Sequence, residues 1–387
     1  MSVRKSWERS LGAAGAASAA LAAAGMLAVG SASAAAANGG VVAQMQQLIA
    51  EHSAIPKFEP PGPPFDAAKL KGKTIAIQMI DGRIGAIQDL SHAVQEAAAA
   101  AGLKTTVFDA QSSPVMMQQN FQSAINDRAD AIVNAGDIVQ IIAGKIKEAR
   151  EKGIPTVEAI NSPPVPGVPG QGSNTNTFGN VSPDPFLAGE LSAAAAIVNT
   201  DGHAHVVIMN TSELSAAPTI VKGMKAALAK CPGCSIVQVT DTPVSQWSTS
   251  LAGLAATVVR SHPKVNYLLP IYSDMGIFAT AGVQQAGAAQ RVHIASFNGA
   301  PAAEALVKGG GPFVVNTAQD TQWIGWAVVD QCMRGMLHMK PAYPIVPIRY
   351  ITRANLKDVD TSSSAKMLPA LFGDAYKSGF LKLWGLG

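Results

Sequence analysis

The side chains best suited to hold another molecule are Asp81, Arg83, Asn161, Trp247, Asp274, Asn298 and Gln319. All but Trp247 stand just beyond an apolar run of strand-like composition. Asp and Asn accept or donate hydrogen bonds in fixed planes, which suits hydroxyl or amine recognition. Arg83 has the fork geometry for an anionic or carbonyl group. Trp247, in Ser245-Gln246-Trp247-Ser248, either stacks on the apolar face of a ring or fills a core at a helix start. Strand-end polar residues also cap helices or stay solvated, so each residue alone has a second, plainer use.

No arrangement of nucleophile, base or metal ligands accompanies them. The chain has no H-E-x-x-H and no G-x-S-x-G. Gly72-Lys73-Thr74 resembles the tail of a phosphate loop, but Ala67 stands where its first glycine belongs, and the segment precedes a strand. The histidines are scattered without paired spacing. Cys231-Pro-Gly-Cys234 has the spacing of a redox pair or half a zinc site. It follows a helix and leads into a strand, whereas a redox pair opens a helix. A local disulfide closing that turn in an oxidising compartment is the expectation. Cys332, in an apolar helical stretch, is expected to be a buried thiol.

The elements that carry these residues form two successive strand–helix trains. In the first, strands are expected at Thr74–Ile80, Thr105–Phe108, Ala131–Asn134 and Pro155–Ala159. Helices over 85–102, 114–128 and 139–152 alternate with them. Val139, Ile142, Ile146 and Ala149 share one helical face. A strand every 25–30 residues or so is the length of a βαβ unit, which predicts a parallel sheet. A Pro/Gly/Asn-rich passage, 162–180, then breaks the pattern. The second train places strands at His205–Met209, Ile236–Val239, Tyr267–Pro270, His293–Phe297 and Phe313–Asn316. Helices over about 184–198, 217–230, 247–260, 275–287, 301–308 and 320–338 separate them. Trp323 and Trp326 lie three apart in the last helix and read as packing residues. The simplest solution is α/β: two doubly wound parallel-sheet lobes. In such sheets ligands bind beyond the carboxyl ends of the strands, where the polar residues stand.

The 387 residues suffice for two cores, and 48% are apolar against 14% charged. A net charge of +3 with no Lys/Arg block excludes a nucleic-acid binder. Residues 1–34 read as a signal peptide: Arg4, Lys5 and Arg9, an Ala/Leu-rich run, then Ala32-Ser33-Ala34. Residues 35–71, with Pro56, Pro60, Pro61, Pro63 and Pro64, read as a short helix over about 41–51 and an extended arm. A periplasmic or secreted location without membrane insertion after leader cleavage follows. The alternative is a leader retained as an anchor.

The chain resembles the periplasmic sugar-binding proteins of the ribose-binding type, the substrate-binding components of ABC importers. The resemblance covers about residues 72–350. It is carried by Lys73–Ile80, Ala131–Pro155, Ser261–Asp274, Ser296-Phe297-Asn298-Gly299 and Thr317-Ala318-Gln319. It implies the type I periplasmic binding protein fold, with three chain crossings forming a hinge. It also implies a ligand gripped by Asp274, Asn298 and Gln319, with Trp247 beside a stacking position. The lobes are expected as 72–178 plus 320–347 and 179–319 plus 348–387. The expected protein is a monomeric, cofactor-free, non-enzymatic binder of a small polar or sugar-like ligand. It would deliver that ligand to importer permease subunits; a module feeding a chemoreceptor or sensor kinase is the alternative. The chain departs from the family after its first strand, where Asp81-Gly82-Arg83-Ile84 lacks the sugar-stacking aromatics. Ile160-Asn161 replaces an expected Asp-Arg pair, and Pro218 an expected arginine. These departures predict poor binding of common monosaccharides.

Overall fold

The computed structural model describes residues 38–136, 138–160, 176–342, 344 and 346–387. The leader and Asn161 lie outside the described residues. Alternation of apolar runs with amphipathic segments builds two sheets, each flanked by helices, as expected from the α/β pattern.

The first sheet holds β1 (Thr74–Met79), β2 (Lys104–Asp109), β3 (Ala131–Ala135), β4 (Thr156–Ala159) and β5 (Gly179–Val181). Their order is β2-β1-β3-β4-β5, and every pairing is parallel. The connecting helices are α2 (Gly85–Ala100), α3 (Pro114–Asn126) and α4 (Val139–Glu151). In α4 the buried residues are Val139, Ile142, Ile146 and Ala149, the face predicted by their spacing. Strand β3 is buried along its whole length, the condition of an interior parallel strand covered on both faces.

The second sheet runs β11-β10-β9-β8-β6-β7. It comprises β6 (His205–Asn210), β7 (Ser235–Asp241), β8 (Tyr267–Pro270), β9 (His293–Asn298), β10 (Phe313–Gln319) and β11 (Ile348–Thr352). Only β11 is antiparallel, on β10. Helices α5 (Pro185–Asn199), α6 (Ala217–Ala229), α7 (Trp247–Ser261), α8 (Ser273–Gln285) and α9 (Pro301–Gly309) cover it.

Each sheet has its own apolar core, and the chain ends are shared between them. A helix over residues 38–51, α1, puts Val42 and Met45 into the second core. The arm after it reaches the first lobe, where Phe58 packs on Trp323 and Phe380, with ring centroids 5.9 and 4.9 Å apart. Helix α10 (Thr321–Met336) belongs to the first core, with Trp323 and Trp326 both buried as packing residues. The expected C-terminal segment 348–387 is divided. α11 (Ser364–Phe372) packs in the second core, whereas α12 (Ala375–Leu383) and Trp384 return to the first. Trp384 stacks on Trp326 at 5.4 Å and donates to the buried Asp330, which also pairs with Arg334. β5 likewise extends the first sheet beyond the expected boundary at 178.

Candidate functional site

Both sheets direct their carboxyl ends at one cleft between the lobes. It is lined from the first lobe by Ile80, Ile84, Ile87, Ile138 and Ile160, which follow β1, β3 and β4. Ser182, Pro183 and Pro185 mark the crossing after β5. The second lobe supplies Leu214, Trp247, Tyr272, Asp274, Phe297, Asn298 and Gln319. The space it encloses, counted out to its open mouth, is about 810 Å³.

The polar groups gather on the second lobe. Strand β9 ends in the Asn298–Gly299 turn, with φ of 122° and 85°. A Cβ on Gly299 would lie 2.6 Å from the Ala318 side chain, so only glycine fits this approach to β10. The turn sets Asn298 beside Gln319, whose Nε2 donates to Asn298 Oδ1 at 3.0 Å. Gln319 Oε1 is buried with no partner among the described residues. Asp274, in the first turn of α8, lies on the same side. Burial pushes its carboxyl above the usual range; its own backbone N–H opposes this, and the negative Asp89 of the first lobe adds to it.

Trp247 is buried in the second core and also lines the cleft. Its Nε1 donates to the Thr242 carbonyl at 3.1 Å, and its ring lies 6.4 Å from that of Tyr272. The indole is therefore fixed before any ligand arrives.

Asp81 and Arg83 are not among the lining residues. Arg83 instead forks onto Asp81, Nε to Oδ1 at 2.8 Å and Nη2 to Oδ2 at 2.5 Å. Ser112 also donates to Asp81. The Arg83 hydrogen bond holds the Asp81 carboxyl down at about 2, against a smaller upward effect of burial. The pair thus satisfies itself at the start of α2, and the Arg83 side chain is 78% exposed. Cys231 and Cys234 are joined as a disulfide with Cα atoms 5.3 Å apart. They sit at the amino end of β7, a full strand away from the cleft, where Gly233 N donates to Asn38 of α1. Cys332 is free and buried.

Sequence reasoning missed the apolar wall and Tyr272. The isoleucines also follow strands, as the polar candidates do, but nothing in their type separates a cleft wall from core. Ile160 carries one structural mark, a φ of 55° that β-branched residues rarely adopt. Such strain collects at ligand sites. Among the described residues the lining contains no histidine, cysteine or lysine, and no group of three or more potential metal ligands occurs. The arrangement can hold hydroxyls or amines through Asp274, Asn298 and Gln319 against an apolar ceiling.

Among the described residues no helix is long and apolar enough to cross a membrane. Solved structures share the fold. A solute-binding protein of a 5-methylthioribose transporter from Thermotoga lettingae, bound to 5-methylthioribose, superposes with a TM-score of 0.70 at 19% identity. That match covers 83% of this chain and 99% of the other. An ABC sugar transporter subunit from Rhodobacter sphaeroides gives 0.66 at 18% identity, over 74% and 99% of the two chains. A solute-binding protein from Bacillus halodurans with bound myo-inositol gives 0.65 at 17%, over 74% and 97%. No curated protein sequence matches. Residues 75–335, two thirds of the chain, match the periplasmic binding protein domain, and the protein belongs to that family.

Proposed function

We propose that this protein captures a small hydroxylated solute between its lobes outside the cytoplasm and presents it to the permease of an ABC importer. The observation that carries this reading is the cleft itself. It lies at the facing carboxyl ends of two sheets, with preoriented polar groups on one lobe and chain crossings that can act as a hinge. Structures of the same fold hold 5-methylthioribose and myo-inositol, which supports a hydroxylated ligand. The closed form would gain stability from contacts to both lobes, and no covalent step is needed. The leader at 1–34 and the Cys231–Cys234 bond both fit an oxidising, extracytoplasmic compartment. Function as a monomer is part of this reading.

The test is a thermal-shift screen of the mature protein against sugars, polyols, glycosides, amino acids and nucleosides. A ligand at 100 times its Kd stabilises by about 2.7 kcal/mol, a rise of several degrees in the melting midpoint. A hit accompanied by a smaller radius of gyration in solution scattering is the expected result. A hit without compaction removes the hinge from the mechanism.

A further inference from the structure

The cleft is chemically two-sided. Its second-lobe face offers Asp274 and Gln319 Oε1 as acceptors and the Asn298 amide as a donor. Among the described residues its first-lobe face is largely aliphatic: the side chains of Ile80, Ile84, Ile87, Ile138 and Ile160 can neither donate nor accept, and the Ser182 hydroxyl after β5 donates to the Pro183 carbonyl. Ile84 and Ile138 are only partly buried, apolar surface left uncovered by the protein's own core. The lining also holds no cation among the described residues. The guanidinium of Arg83 is taken by Asp81, while Asp89 adds a second negative charge on the first-lobe side of Asp274.

Resting on the capture reading above, we infer that the ligand is an uncharged hydroxylated molecule bearing an apolar substituent of several carbons. Its hydroxyls face Asp274, Asn298 and Gln319, and the substituent covers the isoleucine wall. A free monosaccharide carries hydroxyls around its whole rim. Those turned toward the isoleucines would lose water without gaining a partner, each weakening binding about tenfold or more. Conversely, an alkyl or aryl group there removes apolar surface from water on both sides of the contact. A carboxylate or phosphate would be placed beside Asp274 with no cation to offset the repulsion.

Calorimetric titration of the full-length mature protein with matched sets tests this: hexoses and pentoses, their butyl and phenyl glycosides, and the corresponding aldonic acids. In the matching set, the glycoside binds at least tenfold tighter than the free sugar, including the case where the free sugar gives no signal. The aldonic acid binds worse than both. Ile84→Ser and Ile138→Ser, at partly buried positions of the cleft wall, each weaken glycoside binding about tenfold and narrow its margin over the free sugar. A free sugar or acid that binds as tightly as its glycoside overturns the inference. So do substitutions that weaken sugar and glycoside alike. Binding of an amino acid or nucleoside with silence from every glycoside overturns the ligand class but keeps the capture reading. Silence from all compounds, in this set and in the wider screen, overturns both.

Discussion

Glu304 and Asp320 are buried carboxyls one step behind polar residues that line the cleft. Glu304 lies beneath the Asn298–Gly299 turn, and Asp320 follows Gln319. Burial pushes Glu304 up to about 8, with a smaller opposing effect of the neighbouring Asn316 amide. Asp320 rises to about 7 for the same reason, although it accepts from the N–H groups of Gln322 and Trp323 as the cap of α10. Both folded-state values are raised, so the folded protein keeps protons that the unfolded chain has released. For Glu304 this difference opens near its ordinary value of 4.5 and is complete by about 8. Stability therefore falls as pH rises through that window, at most by about 1.4 kcal/mol per pH unit for one group. Glu304→Gln, which needs no proton, should flatten the decline. Denaturant unfolding at pH 5 and pH 8 measures it; an unchanged slope in the variant would show that Glu304 is not the group responsible.

At the scale of elements, the two glycines at the α5–α6 contact let those helices touch backbone to backbone. A Cβ on Gly189 would sit 2.0 Å from the Ile220 carbonyl oxygen, and one on Gly223 the same distance from that of Phe186. Backbone cannot step aside as a side chain can, so Gly223→Ala should cost about 2 kcal/mol or more. Gly253, on the exposed side of α7, has nothing within 4 Å of its would-be Cβ. There the ordinary helix propensity decides, and Gly253→Ala should stabilise by about 1 kcal/mol. Chemical denaturation of the two variants should give shifts of opposite sign. Two losses of equal size would mean that close packing is not what selects glycine at the α5–α6 contact.

At the scale of the molecule, both chain ends bind the lobes to one another. Leaving α1, the chain accepts from Tyr350 N and Arg349 Nε through the His52 and Ser53 carbonyls, on the second lobe. By Phe65 and Ala67 it is donating to the Leu383 and Trp384 carbonyls, on the first. Phe58 anchors this bridge, and its ring occupies the space over Gly379 of α12. Phe58→Ala should lower stability by about 2 kcal/mol, less than the loss for a fully buried aromatic because the ring is partly exposed. The loss should appear in amide exchange of α10 and α12 before that of α5 and α6. Equal loss in both lobes would mean that the arm does not act through the first core.

The alternating trains were legible because apolar periodicity is a local property: Val139, Ile142, Ile146 and Ala149 display their face whatever surrounds them. The places of Asp274, Asn298 and Gln319 at the cleft were legible too, since a polar residue at the end of an apolar strand has a fixed place in a parallel sheet. Short β5 and antiparallel β11 carried no such signal, the first following a Pro-rich passage and the second lying beyond Pro341, Pro344 and Pro347. Nor did the sharing of α1, α11 and α12 between cores, which rests on contacts distant in sequence. The aliphatic side of the cleft and the diversion of Arg83 to Asp81 belong wholly to the tertiary structure. An isoleucine reads the same in a core and at a cleft wall. An arginine's partner depends on which of its neighbours the fold brings within reach.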